Sequence, residues 1–233
     1  MNLVITDKIN RAQTETVASC ILKRALDIII SILALVLLFP VLLLVCALVK
    51  ISSAGPIIYK QKRCGLKGKP FYIYKFRTMP QGTEKSSGPV WGDEADCRST
   101  KTGLYMRILH IDELPQLINV LRGEMSLVGP RPERPYFVNQ FQKDIPNYES
   151  RHAVKPGITG WAQINGYRGN TSIIKRTEYD LYYIKNWSLL LDIKILFKTP
   201  ASNDLKSLFS RLSLNPLFNL FSNAFYVKEN TQA

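Results

Sequence analysis

Apolar residues along this chain recur in three patterns, and each predicts a different element. The first is a continuous run. "KRALDIIISILALVLLFPVLLLVCALVK" contains 22 residues without a charge, from Ile28 to Val49. A helix of that length rises about 33 Å, enough to reach across a bilayer core. Pro40 stands in its middle, where it removes a backbone donor and clashes with the preceding turn. Neither half is long enough to cross alone. Lys23 and Arg24 precede the run, and Lys50, Lys60, Lys62, Arg63, Lys67 and Lys69 follow it. A spanning helix concentrates Lys and Arg on its cytoplasmic side. Basic flanks at both ends favour a re-entrant helix broken at Pro40 over a single kinked span. A signal peptide is rejected, because its apolar region would be shorter and closer to Met1.

The second pattern alternates. In "GPIIYKQKRCGLKGKPFYIYKFRTM", residues 57–59 and 71–74 predict two short strands joined by the turn-rich "GLKGKP". The third has helical spacing. Leu114, Leu117, Ile118 and Leu121 fall at i, i+3, i+4 and i+7, and Gly123 ends the series. With Pro115 in the first turn, that helix is expected to start at about Asp112. Residues 104–109 predict a short helix, and "SIIKRTEYDLYYIKNWSLLLDIKILFKT" a long amphipathic stretch. Residues 80–103 and the glycine-rich 145–169 read as loops. After Pro200, Leu205, Leu208, Phe209 and Leu212 recur beside Lys206 and Arg211, a membrane-interface pattern.

The expected class is α+β, mainly α. A mobile arm over 1–22 precedes a Pro-broken, re-entrant membrane helix over 23–50. A cytoplasmic domain over 51–199, with a β-hairpin and amphipathic interfacial helices, leads to an amphipathic tail over 200–233.

Charge narrows the choice of partner. Lys+Arg of 31 against Asp+Glu of 18 gives +13, with pI ≈ 9.6. Such an excess implies a polyanion: nucleic acid, an anionic lipid surface or phosphorylated substrates. The cysteines at 20, 46, 64 and 97 form no CxxC pair, which fits a reducing compartment. His110 and His152 are too few for a multi-histidine metal centre.

The candidate chemistry lies in "HIDELPQLINVLRGEMSLVGPRP". Asp112 and Glu113 can serve as an N-cap and a first-turn acid that the helix dipole favours. The same geometry also permits catalysis. A helix start attracts phosphate and keeps a carboxylate ionised, and an ionised Asp112 can attack a phosphoryl group. Glu113 beside it can hold Mg²⁺, whose ligands are one or two carboxylates plus substrate phosphates. Arg131, fixed between two prolines, suits bidentate phosphate binding, and equally an ordinary ion pair. Arg107, Lys75 and Arg77 are further candidates for binding an anionic substrate.

These motifs, with "VKPGITGWAQINGYRG" and "YDLYYIKNWSLLLDIKIL", resemble the bacterial sugar transferases termed monotopic phosphoglycosyl transferases, over residues 22–199 and in the same order. The chain is similar to those acting as undecaprenyl-phosphate glucose or galactose phosphotransferases. The resemblance implies transfer of a sugar-1-phosphate from a UDP-sugar to a polyprenyl phosphate. UMP is released, and a surface glycan is started at the cytoplasmic face of the bacterial inner membrane. It implies Asp112 as nucleophile, Glu113 as the acid that helps bind Mg²⁺, and Arg131 and Arg107 as the family's arginines. It also implies a re-entrant membrane helix and the minimal form of the family. "NGYRGNTS" resembles the loop of members that transfer glucose-1-phosphate, with galactose and N-acetylated sugars left open. Departures are His110 and Ile111 before the acids, Cys97 and Ser99, and the tail.

Two other classes compete. A nucleic-acid binder would explain the charge, but "KQKRCGLKGK" carries no recognisable binding module. A non-catalytic membrane scaffold would need neither Mg²⁺ nor the acidic pair. The expected partners are therefore a UDP-sugar, a polyprenyl phosphate and an anionic membrane, without nucleic acid; oligomerisation stays open.

Overall fold

The computed structural model describes residues 2–83 and 98–202. Cys97 and the expected interfacial tail from 203 onward lie outside them. Helix α1 (Asn2–Leu37) opens the chain and α2 (Phe39–Ser52) follows at once. The hairpin strands β1 (Ile58–Cys64) and β2 (Pro70–Phe76) come next. Helices α3 (Lys101–Ile108) and α4 (Gln116–Leu121) flank a single 3₁₀ turn, Ile111–Glu113. Strand β3 (Ser126–Val128) leads to α5 (Pro135–Asp144) and a 3₁₀ turn at Tyr148–Ala153. Strand β4 (Gly157–Thr159), the short α6 (Trp161–Ile164), α7 (Ile173–Lys185) and α8 (Leu189–Ser202) complete the described chain.

The apolar run breaks where the proline predicts. α1 ends at Leu37, Pro40 occupies the first turn of α2, and the axes bend by 65°. Leu38 N–H still reaches Ala34 O and Leu42 N–H reaches Leu38 O, so the break costs few hydrogen bonds. Among the described residues no single helix is long and apolar enough to cross a membrane; this bent pair passes the test only together. Its outer side is apolar, with Val36, Leu37, Phe39, Leu43, Leu44 and Ile51 exposed.

Upstream, the stretch expected as an arm is helical. Residues 2–22 form the first part of α1; the stretch holds no glycine or proline and several good helix formers.

The flanking cations take on a different part from the one assumed. Lys23 Nζ donates to Asp192 Oδ2 at 2.6 Å and to Val128 O at 3.1 Å. Arg24 caps the C-terminal carbonyls of α4, reaching Val120 O at 2.6 Å and Leu121 O at 2.9 Å. Buried Asp27 accepts from Leu127 N–H at 3.0 Å. Ile30, Ala34 and Leu35 then pack on the main core, built from Phe71, Ile73, Val120, Met125, Tyr183 and Ile195. Half of α1 is thus a core helix of the domain that follows it.

The hairpin forms as the alternation predicts, antiparallel, with Ile58 opposite Phe76 and Cys64 opposite Pro70. A parallel pair was not foreseen: Ser126 aligns with Gly157 and Val128 with Thr159. Two three-residue strands are too short to show alternation. Glycine makes their approach possible. A Cβ on Gly157 would lie 2.1 Å from Gly129 N, so neither backbone could come so close with a side chain there. This crossing fixes the start of the segment that carries Arg131.

Candidate active site

The paired acids do not begin an α-helix as expected. Pro115 has no N–H to offer Ile111 O, and Leu114 N–H takes that carbonyl at 3.2 Å, winding the stretch as 3₁₀. The α-helix starts only at Gln116. His110, in the left-handed conformation (φ 55°, ψ 17°), separates α3 from this turn and turns both acids inward. Asp112 and Glu113 are 6% and 9% exposed at the wall of a cavity of about 810 Å³.

Their surroundings differ sharply. Lys75 Nζ donates to Glu113 Oε1 at 2.6 Å, and Arg131 grips the same carboxylate with both terminal nitrogens, Nη1 reaching Oε2 at 3.1 Å and Nη2 bonding Oε1. Burial opposes ionisation of Glu113. The charges of Arg131 and Lys75, with their hydrogen bonds, overcome it and hold this carboxyl well below the ordinary range. No described residue donates a hydrogen bond to Asp112. Burial pushes its carboxyl up to about 6; Lys75 pulls against this, the Glu113 charge adds to it, and Arg107 and Arg131 pull down. The cations around Asp112, rather than the start of an α-helix, oppose the effect of burial.

The other expected residues divide. Arg107, on α3, also lines the cavity, and its Nη1 lies 3.5 Å from Ser99 Oγ. Arg77 is turned to backbone. Its guanidinium donates to Pro56 O at 2.5 Å, Ser53 O at 2.6 Å and Val49 O at 3.4 Å, closing the C-terminal end of α2. It anchors the end of the hairpin to the bent helix pair, and it also lines the cavity. Lys75, two residues earlier and within β2, points to the acids instead.

Sequence reasoning missed Glu133, Arg63, Arg168 and Arg176, all of which line the cavity. Glu133 directly follows the Pro-Arg-Pro motif, so its position gave a signal; Arg176 sits in an amphipathic stretch rich in cations and gave none.

For Mg²⁺ the donor set is the bare Asp112 carboxylate and the second oxygen of Glu113, which accepts one bond. Among the described residues no group of three or more His, Cys, Asp or Glu can hold a metal alone. The site fits an ion that brings phosphate oxygens with it.

The site thus holds a buried carboxylate that accepts no hydrogen bond among the described residues, beside a neutralised one in a cavity rich in arginine. Comparison with known proteins shows the class: the bacterial sugar transferase family matches residues 18–203, and the chain belongs to it. Over 183 residues it is 49% identical to a UDP-glucose:undecaprenyl-phosphate glucose-1-phosphate transferase of Escherichia coli (strain K12). Over 180 residues it is 47% identical to a UDP-N-acetylgalactosamine-undecaprenyl-phosphate N-acetylgalactosaminephosphotransferase of Aeromonas hydrophila. These alignments cover 77% and 76% of this chain but only 39% and 42% of those relatives. The exopolysaccharide production protein PSS of Rhizobium leguminosarum bv. phaseoli is 42% identical over 78% of this chain and 94% of its own length.

Proposed function

We propose that this chain transfers a sugar-1-phosphate from a UDP-sugar to a polyprenyl phosphate in two steps, starting a glycan at the cytoplasmic face of a bacterial inner membrane. The observation that carries the reading is the bare, buried Asp112 carboxylate beside a Glu113 already neutralised by two cations. An Asp112 oxygen attacks the phosphorus that bears the sugar. The bond to the UMP phosphate breaks, the bridging oxygen leaves with UMP, and an aspartyl-phosphosugar remains. A phosphate oxygen of the acceptor then attacks the same phosphorus and returns the carboxylate. Arg131 and Lys75, both within reach of an anion at Glu113, receive the charge that develops on the transferring oxygens. Glu113, together with substrate phosphate, would hold Mg²⁺, which would supply neutralising charge. A panel of UDP-sugars assayed for UMP release, with and without acceptor, tests the reading; no release from any of them refutes it. The relatives' names do not decide among glucose, N-acetylgalactosamine and other sugars.

Asp112 must be ionised to attack. UMP formation per donor, as kcat/KM, is therefore expected to rise about tenfold per pH unit below about 6 and to level off above it. A profile flat between pH 5 and 7 would exclude Asp112 as the titrating nucleophile.

The 65° bend and the exposed apolar residues on both arms support a re-entrant pair that dips into one leaflet. In sealed inverted vesicles, single cysteines placed at 20 and 60 in a background without native cysteines should label equally; labelling of one end only would establish a span. Pro40→Leu restores the missing donor and should move one end across the membrane with loss of activity.

A further inference from the structure

Behind Arg131 lies a second set of buried charges that the two transfer steps do not use. Glu133 is 6% exposed and Arg176 3%. Arg176 Nη1 donates to Glu133 Oε1 at 2.8 Å, and Arg63 Nη1 lies 3.5 Å from Glu133 Oε2. Three consecutive carbonyls around Arg131 are also held: Arg131 O by Arg151 Nη2 at 3.1 Å, Pro132 O by Arg63 Nη1 at 2.9 Å, and Glu133 O by Cys64 N–H at 2.9 Å. The segment carrying the phosphate-gripping arginine is therefore fixed along its whole backbone.

On its other side Arg176 reaches a loop. Nη2 donates to Gly169 O at 2.8 Å and to Thr171 Oγ1 at 3.3 Å. That loop has little stiffness of its own, with Gly166 and Gly169 both at positive φ (86° and 60°). Its Arg168 lies 2.9 Å from His110 Nε2, two residues before Asp112. The contacts thus close a ring around the cavity: from Asp112 through His110, Arg168, Gly169 and Arg176 to Glu133, and back through Arg131 to Glu113.

We propose that Glu133 is a positioning residue: through Arg176 it fixes the 165–171 loop against the Arg131 segment, so that both grip one sugar-nucleotide donor at a set spacing. The inference rests on the donor reading above. A carboxylate suits the task because each of its oxygens meets a different guanidinium; glutamine offers one acceptor and turns an N–H₂ toward the other cation. Without that charge the guanidinium of Arg176 loses its contact with Glu133, and its hold on the loop is less sharply set. Buried ion pairs are often only part of the fold, so the test must separate grip from folding.

Titration calorimetry on the full chain in detergent does so, because stoichiometry reports the folded fraction and Kd the grip. The probe is whichever of UDP-glucose, UDP-galactose and UDP-N-acetylgalactosamine gives fastest UMP release with the unaltered chain. Titrations use an Asp112→Asn background, which cannot consume it. Glu133→Gln in that background should raise Kd about tenfold or more, the usual loss when a charged hydrogen-bond partner is neutralised. Thr171→Val leaves every buried charge paired and removes only the loop's side of one bond; it should raise Kd about threefold. An unchanged Kd for Glu133→Gln, whatever happens to stoichiometry, returns Glu133 to a purely structural part. If that variant yields no folded protein, an unchanged Kd for Thr171→Val overturns the proposal alone. Absence of donor binding by Asp112→Asn with Glu133 intact would overturn the donor reading itself.

Discussion

Asparagine in place of Asp112 should leave a folded protein that releases no UMP from any UDP-sugar. The two side chains have nearly the same shape, and no described residue donates to the carboxylate, so the exchange breaks no hydrogen bond that holds the turn. An amide oxygen is a poor nucleophile, and loss of a nucleophile costs about 10³-fold or more. The unaltered enzyme should show a burst of at most one UMP per chain before any acceptor is added, and the variant none. Turnover by Asp112→Asn at the unaltered rate would end the nucleophile assignment. The same variant reads the burial of Asp112 through stability. Its carboxyl titrates at about 6 in the fold, against about 3.9 in an unfolded chain. Between those values the folded protein keeps a proton that the unfolded chain has lost. The stabilising contribution is full below the lower value and lost as pH rises through the upper one. Asparagine does not titrate. The melting temperature of the variant minus that of the unaltered protein should therefore grow from pH 4.5 to 7.5, by the equivalent of about 1–3 kcal/mol. A constant difference would mean that Asp112 is not a buried titrating acid.

Lysine in place of Arg131 should lower kcat/KM for the donor by about a hundredfold, the usual cost of losing one aimed donor to a transferring oxyanion. Arg131 holds Glu113 through two nitrogens in a fork, and its flanking backbone is fixed, so the guanidinium is delivered to a defined point. A lysine ammonium can pair with Glu113 but cannot reproduce the planar two-point grip. Yield and melting temperature should change little, because the ion pair to Glu113 survives in part and Lys75 remains. If the lysine variant turns over like the unaltered chain, Arg131 serves only to neutralise Glu113.

How far the sequence could be read depended on the range of each signal. Pro40 and the alternation around "GLKGKP" act locally, and both the break and the hairpin appear where they were expected. The acids were found by adjacency, but their setting was not. A proline read as a first-turn residue instead denies Ile111 O its α-helical partner, and that depends on the left-handed His110 before it. Arg77 and Lys75 are two residues apart and look alike in sequence, yet one reaches the backbone carbonyls at the end of α2 and the other reaches Glu113. The partners of Glu133 lie 70 residues before it and 43 after it, a separation no periodicity can report. Lys23 and Arg24 misled for the same reason. They read as topology signals, while their acceptors lie about a hundred residues or more away.

That last feature orders events during synthesis. Lys23, Arg24 and Asp27 leave the ribosome early, yet Lys23 meets Asp192 only after 169 further residues and Arg24 meets Val120 after 96. Until then Lys23 and Arg24 lack those distant acceptors and have only Asp27, one helical turn along, beside them. The N-terminal helix therefore cannot complete its contacts with the domain until α8 arrives. Closure of the core over this helix is then a late event, and a chain that stops short of Asp192 leaves Lys23 without its acceptor at the far end of the fold.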